Sequence, residues 1–118
     1  MTATAAAPLS ARMAAADVAR QRRALLDRGQ AIATKLAKLM AGGDPMSLIR
    51  ALGLDAKPGA RPEEVLRRAL DQVERLRKLI DADDDRYGRC QECGLDLGLP
   101  AMREVPWADA CPAHAKLV

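Results

Sequence analysis

The feature that most constrains this sequence is a set of four metal-ligand side chains near its C-terminal end. Cys90 and Cys93 are three positions apart, and Cys111 and His114 repeat that spacing after seventeen intervening residues, which gives the pattern C-x2-C-x17-C-x2-H. Thiolates or an imidazole at positions i and i+3 of a tight turn can face one ion, and zinc favours four such ligands in a tetrahedron. We therefore predict one structural zinc ion held by these four residues.

The same four side chains limit the chemistry that the chain can perform. A zinc ion with four protein ligands keeps no position open for a catalytic water. His114 is the only histidine, so its ligation leaves none for a Ser/His/Asp triad. The alternative interpretation is that the three cysteines are buried or reactive thiols without a metal. An odd number of cysteines fits thiols that stay reduced in a cytosol, so we expect a cytoplasmic protein that is not an enzyme.

The rest of the sequence predicts long helices. Its apolar content of 49% is mostly Ala and Leu, with one Trp, one Tyr and no Phe, which suits narrow seams between helices. Apolar residues recur every seven positions in two stretches, at Val18, Leu25, Ile32 and Leu39, and again at Leu66, Val73 and Ile80. This period predicts two amphipathic helices, the first running from an N-cap at Ser10 to about Ala41 and the second beginning after Pro62.

A short helix is predicted between the two long ones. Gly42 and Gly43 end the first helix, Asp44-Pro45 is a helix start signal, and Lys57-Pro58-Gly59 breaks the chain again. We therefore predict a mainly α fold in three parts. They are a loose tail over residues 1–9, an antiparallel helical hairpin of coiled-coil type over 10–86 with a short helix near 45–52, and a zinc finger over 87–118. The alternative is a three-helix bundle in which residues 45–52 fold back onto the seam.

The acidic run before the finger has two interpretations. Asp81, Asp83, Asp84 and Asp85 precede Tyr87 almost without interruption. Paired carboxylates can act in general acid and base catalysis. We favour a solvated hinge between the hairpin and the finger.

The segment 85–114 closely resembles the zinc finger of the DksA/TraR family of bacterial regulators that bind RNA polymerase. The matching residues are Tyr87-Gly88, Cys90, Cys93-Gly94, Asp96-Leu97-Gly98-Leu99, Pro106, Ala108-Asp109 and Cys111, with the seventeen-residue interval of the family. His114 stands where the family usually has a fourth cysteine, a change that keeps a zinc ligand. The family also places an antiparallel coiled coil and an acidic stretch ahead of the finger, and this sequence has both patterns.

The resemblance implies a transcription regulator that does no chemistry itself. In the family, the coiled coil enters the secondary channel of the polymerase, and acidic residues at its tip act near the active-site magnesium. By this resemblance the partner-binding residues would be Asp44, Pro45, Ser47 and Ile49. Asp44-Pro45 corresponds to the Asp-Pro of the family tip, whereas Ser47 stands where the family has a second acid and Ile49 where it has a small residue.

Charge and composition also indicate which other partners to expect. The runner-up function is a zinc-stabilised adaptor or scaffold whose hairpin binds some other protein. Residues 10–42 carry seven basic side chains against Asp17 and Asp27, but no aromatic residues interleave with them, so we do not expect direct nucleic-acid binding. The sequence contains no run of 18 apolar residues, so we predict no membrane span. We expect a bacterial cytoplasmic protein, and the sequence does not define its oligomeric state.

Overall fold

The computed structural model describes residues 7–54 and 58–115, and these residues are mainly helical. The helices are α1, Ala15–Met40; α2, Pro45–Ala51; α3, Pro62–Asp81; and α4, Leu99–Glu104. A 3-10 turn at Leu9–Ala11 precedes them, and the described residues contain no β-strand. Residues 1–6 of the predicted tail, Lys57 of the predicted break and the last three residues of the predicted finger lie outside the described ranges.

The two long helices pack against each other through the predicted apolar faces. Leu25 and Ile32 of α1 lie in one buried cluster with Val73, Leu76 and Ile80 of α3. At one level Arg22 Nε pairs with Asp81 Oδ1 at 2.9 Å, and further along α1 Gly29 lies beside Val73. Residues later in α1 thus lie beside residues earlier in α3. Burial of each large aliphatic side chain contributes about 1.5–3 kcal/mol, which drives the pairing of two otherwise marginal helices.

The start of α1 differs from the prediction. Ala14, not Ser10, is the N-cap, and its side chain cannot accept a hydrogen bond from the first turn. Ser10 lies in the preceding 3-10 turn, where its backbone N–H and hydroxyl donate to the two carboxylate oxygens of Asp83 at 2.8 and 2.9 Å. Leu9, assigned to the tail, is fully buried, and its N–H donates to the Asp83 carbonyl. Contacts with the distant Asp83 therefore hold Leu9 and Ser10 in place, although these residues lie outside the seven-residue apolar pattern.

Helix α2 lies on the seam between α1 and α3. α1 ends in a left-handed residue, Gly42 at φ +96°, and the Gly43 N–H closes the last turn on the Lys38 carbonyl at 2.8 Å. Asp44 then caps α2 by accepting from the Ser47 N–H at 3.0 Å. Helix α2 contacts both long helices, and its buried side chains are Leu48 and Ile49, followed by Leu52 just beyond its end. The short helix predicted near residues 45–52 is thus present and packs against both α1 and α3.

A transmembrane helix is not found among the described residues. No helix within 7–54 and 58–115 has both the length and the apolar character needed to cross a bilayer.

Gly29 in the middle of α1 provides a test of this packing. A Cβ at this position would lie 3.5 Å from Val73 Cγ1, an ordinary van der Waals distance. Because glycine weakens a helix interior by about 1 kcal/mol relative to alanine, Gly29→Ala should raise the free energy of unfolding by up to that amount. Urea denaturation followed by circular dichroism measures the change.

Gly43→Ala is the contrasting variant. Its Cβ would come within 2.9 Å of the Lys38 carbonyl oxygen, closer than backbone atoms tolerate, so the same measurement should show destabilisation. Equal effects of the two alanines would contradict the packing described here.

Candidate metal centre

The first pair of candidate ligands lies in a tight turn at the base of the helices. The Cys90 N–H donates to the Leu95 carbonyl and the Gly94 N–H to the Cys90 carbonyl, both at 2.8 Å. Gly94 has a φ of +78°, a left-handed conformation that glycine adopts without strain. An isolated antiparallel bridge between Arg89 and Asp96 closes the turn. This loop brings the Cys90 and Cys93 side chains to the same side of the turn.

The second pair lies in a matching turn near the end of the described chain. The His114 N–H donates to the Cys111 carbonyl at 2.9 Å, so both side chains leave the turn in the same direction. The Gln91 N–H donates to the Asp109 carbonyl at 2.9 Å and ties the two turns together. Cys90 and Cys111 are buried, Cys93 is exposed and His114 is partly buried. The three cysteines, all within the described residues, are free thiols.

The four ligand atoms fit one metal ion. They lie within 4.8 Å of one another. Metal–sulfur bonds of about 2.3 Å in a tetrahedron imply S···S separations of about 3.8 Å, and S···N separations of about 3.6 Å. The Sγ atoms of Cys93 and Cys111 are 3.8 Å apart, and His114 Nδ1 is 3.7 Å from Cys90 Sγ and 3.2 Å from Cys111 Sγ. The four predicted ligand atoms therefore lie close enough together to bind one metal ion.

Hydrogen bonding favours the deprotonated, metal-binding form at two of the three cysteines, Cys90 and Cys111. The backbone N–H of Cys111, followed by those of Cys93 and Glu92, lowers the pKa of Cys90 to about 6. The hydrogen bond with His114 lowers the pKa of Cys111, and the same contact raises the pKa of His114. Both shifts favour a thiolate at Cys111. At Cys93 the Leu95 N–H acts to lower the pKa, but desolvation and the contacts with Cys90 and Cys111 outweigh it and raise the pKa. A cation placed among these sulfurs would therefore bind two groups that already favour negative charge and would have to offset the shift at the third.

Arg12 ties the finger to the start of the chain, a role that the sequence analysis missed. Its Nε donates to Asp85 Oδ1 at 2.8 Å, and its Nη2 donates to the carbonyl oxygens of Asp85 and Tyr87. Gly88 lies directly against the guanidinium at φ +83°, where a Cβ would approach Arg12 Nη1 to 3.3 Å. No local periodicity marks Arg12, because its partners lie more than seventy residues away.

A buried polar network joins α1 to the finger at a second point. Gln21 Nε2 donates to Tyr87 Oη at 3.1 Å and to the Met102 carbonyl at 2.6 Å, and Tyr87 Oη donates to the Pro106 carbonyl at 2.7 Å. Burial raises the pKa of Tyr87 to about 12, so its hydroxyl stays protonated and can donate. Gln21 occupies a seam position between Val18 and Leu25. A polar residue at this otherwise apolar position was the sequence signal that could have revealed its contact with the finger.

The loop around Trp107 makes the third attachment. The Arg28 guanidinium stacks on the Trp107 ring at 4.1 Å from its centroid, and Gln72 Nε2 donates to the Trp107 carbonyl at 2.8 Å. Burial lowers the pKa of Arg28, whose Nε has no hydrogen-bond partner among the described residues. Arg75 of α3 pairs with Asp109 at 3.4 Å. The finger is therefore held by both long helices.

The acidic run, predicted to be a solvated hinge, is partly exposed and hydrogen-bonded: Asp81 and Asp83 are exposed, whereas Asp84 and Asp85 are partly buried. Its four carboxylates accept hydrogen bonds from five residues: Asp81 from Arg22, Asp83 from Ser10, Asp84 from Arg86, and Asp85 from Arg12 and Arg89. The Asp85 side chain is only 18% exposed, and the hydrogen bond from Arg12 holds its pKa below the usual range. Arg86 and Arg89 are local partners, but Arg22, Ser10 and Arg12 lie 59 to 73 residues away, so composition could not reveal those three contacts.

The residues predicted to bind a partner lie around the start of α2. Asp44 and Ser47 are exposed, and Pro45 is partly exposed. Ser47 Oγ donates to Asp44 Oδ2 at 2.7 Å, which with the Ser47 N–H lowers the pKa of Asp44. Ile49 is only 1% exposed, so a partner could contact it only if α2 moved. The structure thus leaves Asp44 and Ser47 accessible and gives Ile49 a packing role.

Comparison of the chain with protein-family models, curated proteins and solved structures finds no match.

The Arg12 contacts generate a stability prediction. Arg12→Met keeps the length of the side chain but removes donors to the carboxylates of Asp85 and Asp96 and to two carbonyls. We therefore expect the free energy of unfolding to fall by about 1.5–3 kcal/mol. Chemical denaturation at neutral pH with excess zinc measures the loss.

Arg23→Met is the matched control. Arg23 is 79% exposed and pairs only loosely with Asp27 at 3.5 Å, so its replacement should change stability by no more than about 0.5 kcal/mol. Similar losses in the two variants would contradict a specific role for Arg12.

Proposed function

We propose that this protein is a zinc-stabilised transcription regulator that binds RNA polymerase through an antiparallel hairpin of α1 and α3. The observation that carries the proposal is the convergence of four ligand atoms in a segment whose sequence resembles the DksA/TraR finger. The order of contacts between the two helices supports the hairpin. Residues later in α1 lie beside residues earlier in α3, since Arg22 pairs with Asp81 and Gly29 lies beside Val73. The attachments at Arg12, Gln21 and Gln72 support a finger that holds the base of the two helices together.

Zinc is the metal we propose. Three thiolates and one imidazole are soft and borderline ligands, a set that suits zinc far better than magnesium or calcium. Four protein ligands at tetrahedral separations favour a structural ion, and with no open position for water the site would not support hydrolysis. We therefore propose that the protein acts by binding and not as an enzyme. When bound, zinc would supply the crosslink between the two turns.

The accessible charge at the start of α2 is the feature we assign to regulation. Asp44 is exposed and stays ionised near neutral pH, because hydrogen bonds from Ser47 lower its pKa. From Arg28, which contacts Trp107 of the finger, α1 continues for another twelve residues, a rise of about 18 Å. Asp44 would thus project away from the finger. In a bacterial cytoplasm, such a carboxylate could interact with a metal ion at the polymerase active site.

The first test concerns the metal. The purified protein should contain one zinc ion per chain, because metal binding and folding are coupled in small modules of this kind. His114→Cys should retain that ion and His114→Ala should lose it more readily to a chelator, since thiolate and imidazole both satisfy tetrahedral zinc. Elemental analysis and competition with a chromogenic chelator measure both effects. Equal retention by all three proteins would exclude His114 as a ligand.

The second test concerns the polymerase. Asp44→Asn keeps an N-cap that can accept the Ser47 hydrogen bonds but removes the charge. We expect unchanged co-sedimentation with purified RNA polymerase and a smaller effect on transcription initiation. Ser47→Asp, which adds the second acid, should enlarge the effect. Asp71→Asn, at an exposed position of α3, is the control and should match the parent. A parent that does not co-sediment at low micromolar concentration refutes polymerase binding and favours the adaptor function.

A further inference from the structure

The face of α1 and α3 that carries Leu26 and Leu70 forms an open groove. The groove encloses about 310 Å³, and its lining includes Leu26, Gly29 and Ala33 of α1 and Leu70 and Val73 of α3. Gly29 contributes no side chain, which deepens the groove at its centre. Of the described residues that line it, none belongs to the finger, which attaches through the Arg28 and Gln72 side of the helices.

Helix α1 carries a second apolar heptad stripe along this groove. Leu26, Ala33 and Met40 are spaced seven residues apart, each one position beyond a residue of the buried seam. Leu26 is 37% exposed and Met40 67% exposed, although both are large apolar side chains. The stripe is symmetric about Ala33. If a second α1 crossed it in the opposite direction at Ala33, each Leu26 would meet a Met40, and the small Ala33 residues would allow a close approach.

Helix α3 carries a charged stripe with the same kind of symmetry. Its members follow helical spacing of four and three residues: Glu63, Arg67, Leu70, Glu74 and Arg77. Within one chain Arg67 pairs with Glu63 at 3.3 Å and Arg77 with Glu74 at 2.6 Å, and all four charged side chains are at least 36% exposed. An antiparallel copy centred near Leu70 would place Glu63 opposite Arg77 and Arg67 opposite Glu74. Every charge would then face its opposite.

The two centres of symmetry lie at the same level of the helix pair. Arg22 lies level with Asp81, and Gly29 lies level with Val73. Continuing this register, Ala33 is level with residues 69–70 of α3. One two-fold axis, lying between the two copies, can therefore pass beside both helices at this level. The apolar stripe of α1 and the charged stripe of α3 define this position independently.

We propose that this face is a homodimer interface, in which a second copy packs antiparallel on the first about a two-fold axis at the level of Ala33 and Leu70. Such an interface is isologous, since the same residues contribute from both chains. Leu26, Leu70 and Met40 form its apolar part, and the ion pairs of α3 fix its register. The proposal goes beyond the proposed function and does not depend on the polymerase.

The mass of the zinc-loaded protein in solution gives the first test. Sedimentation equilibrium of the full chain should give twice the 12.7 kDa mass of one chain. Leu26→Glu should give a monomer, because it buries a carboxylate in the apolar part of the interface. Val105→Glu is the matched control, since Val105 has the same 37% exposure but lies outside the groove, and it should remain a dimer.

A charge-mixing experiment tests the orientation. Arg67→Glu alone and Glu74→Arg alone each place like charges across the axis, so both variants should be monomeric. An equimolar mixture should form a heterodimer, because the glutamate introduced at position 67 of one variant then faces the arginine introduced at position 74 of the other. The native Arg67 and Glu74 also meet in this heterodimer. Changes to pairs within one chain are identical before and after mixing and cannot produce this recovery.

The outcomes are distinguishable. A parent that remains a monomer up to about 100 µM overturns the proposal. A dimer that survives Leu26→Glu, or two variants that fail to associate on mixing, overturns the interface described here. Circular dichroism of each variant at low concentration separates loss of association from loss of folding.

Discussion

The convergence of two short turns on one set of ligand atoms is the constraint on which the rest of the structure depends. Three sulfurs within a few ångströms of one another repel when deprotonated and lack partners that would balance them fully. The hydrogen bond between Cys111 and His114 offsets part of this repulsion, and backbone N–H groups offset part at Cys90. A divalent cation would offset the remainder. The fold around residues 87–115 is therefore arranged for a positive ion at its centre.

The finger is joined to the helices by apolar burial and by polar contacts, since its Tyr87 and Met102 lie in the same buried cluster as the apolar residues of α1 and α3. A helix pair joined only by one seam of Leu, Ile and Val is close to the limit of stability in a chain of this size. Arg12, which precedes α1, and Gln21, in the first part of α1, form hydrogen bonds with the finger. Gln72 and Arg75 of α3 also contact the finger. The Gln21 donor is buried and the Arg12 donors are partly buried. Because a buried donor that loses its acceptor costs about 1–3 kcal/mol, these two contacts favour one docking geometry. Local sequence patterns did not predict them.

What the sequence predicted and what it missed follow from the range of the interactions. The seven-residue period of Leu25 and Ile32 depends on neighbours in the same helix, and it located α1 and α3 within a few residues. The i,i+3 spacing of the ligands is equally local, and it predicted the metal-ligand cluster. Ser10 was assigned to a helix cap because its capping partner would be local, whereas its actual partner is Asp83. Ile49 was assigned to partner binding by resemblance, whereas it is 1% exposed and packs in the buried cluster with residues of α1 and α3.

The two proposals compete for the same protein. A hairpin that enters a narrow channel must present α1 and α3 as a slender pair, whereas a dimer across Leu26 and Leu70 places four helices side by side. Since both processes draw on the monomer, dimerisation would lower the concentration available to a partner, and partner binding would dissociate the dimer by mass action. Asp44 lies outside the stripes that form the dimer face, so its charge would not by itself decide between the two states. The residues that control this balance would be those of the interface, Leu26, Arg67 and Glu74, and not those of the tip.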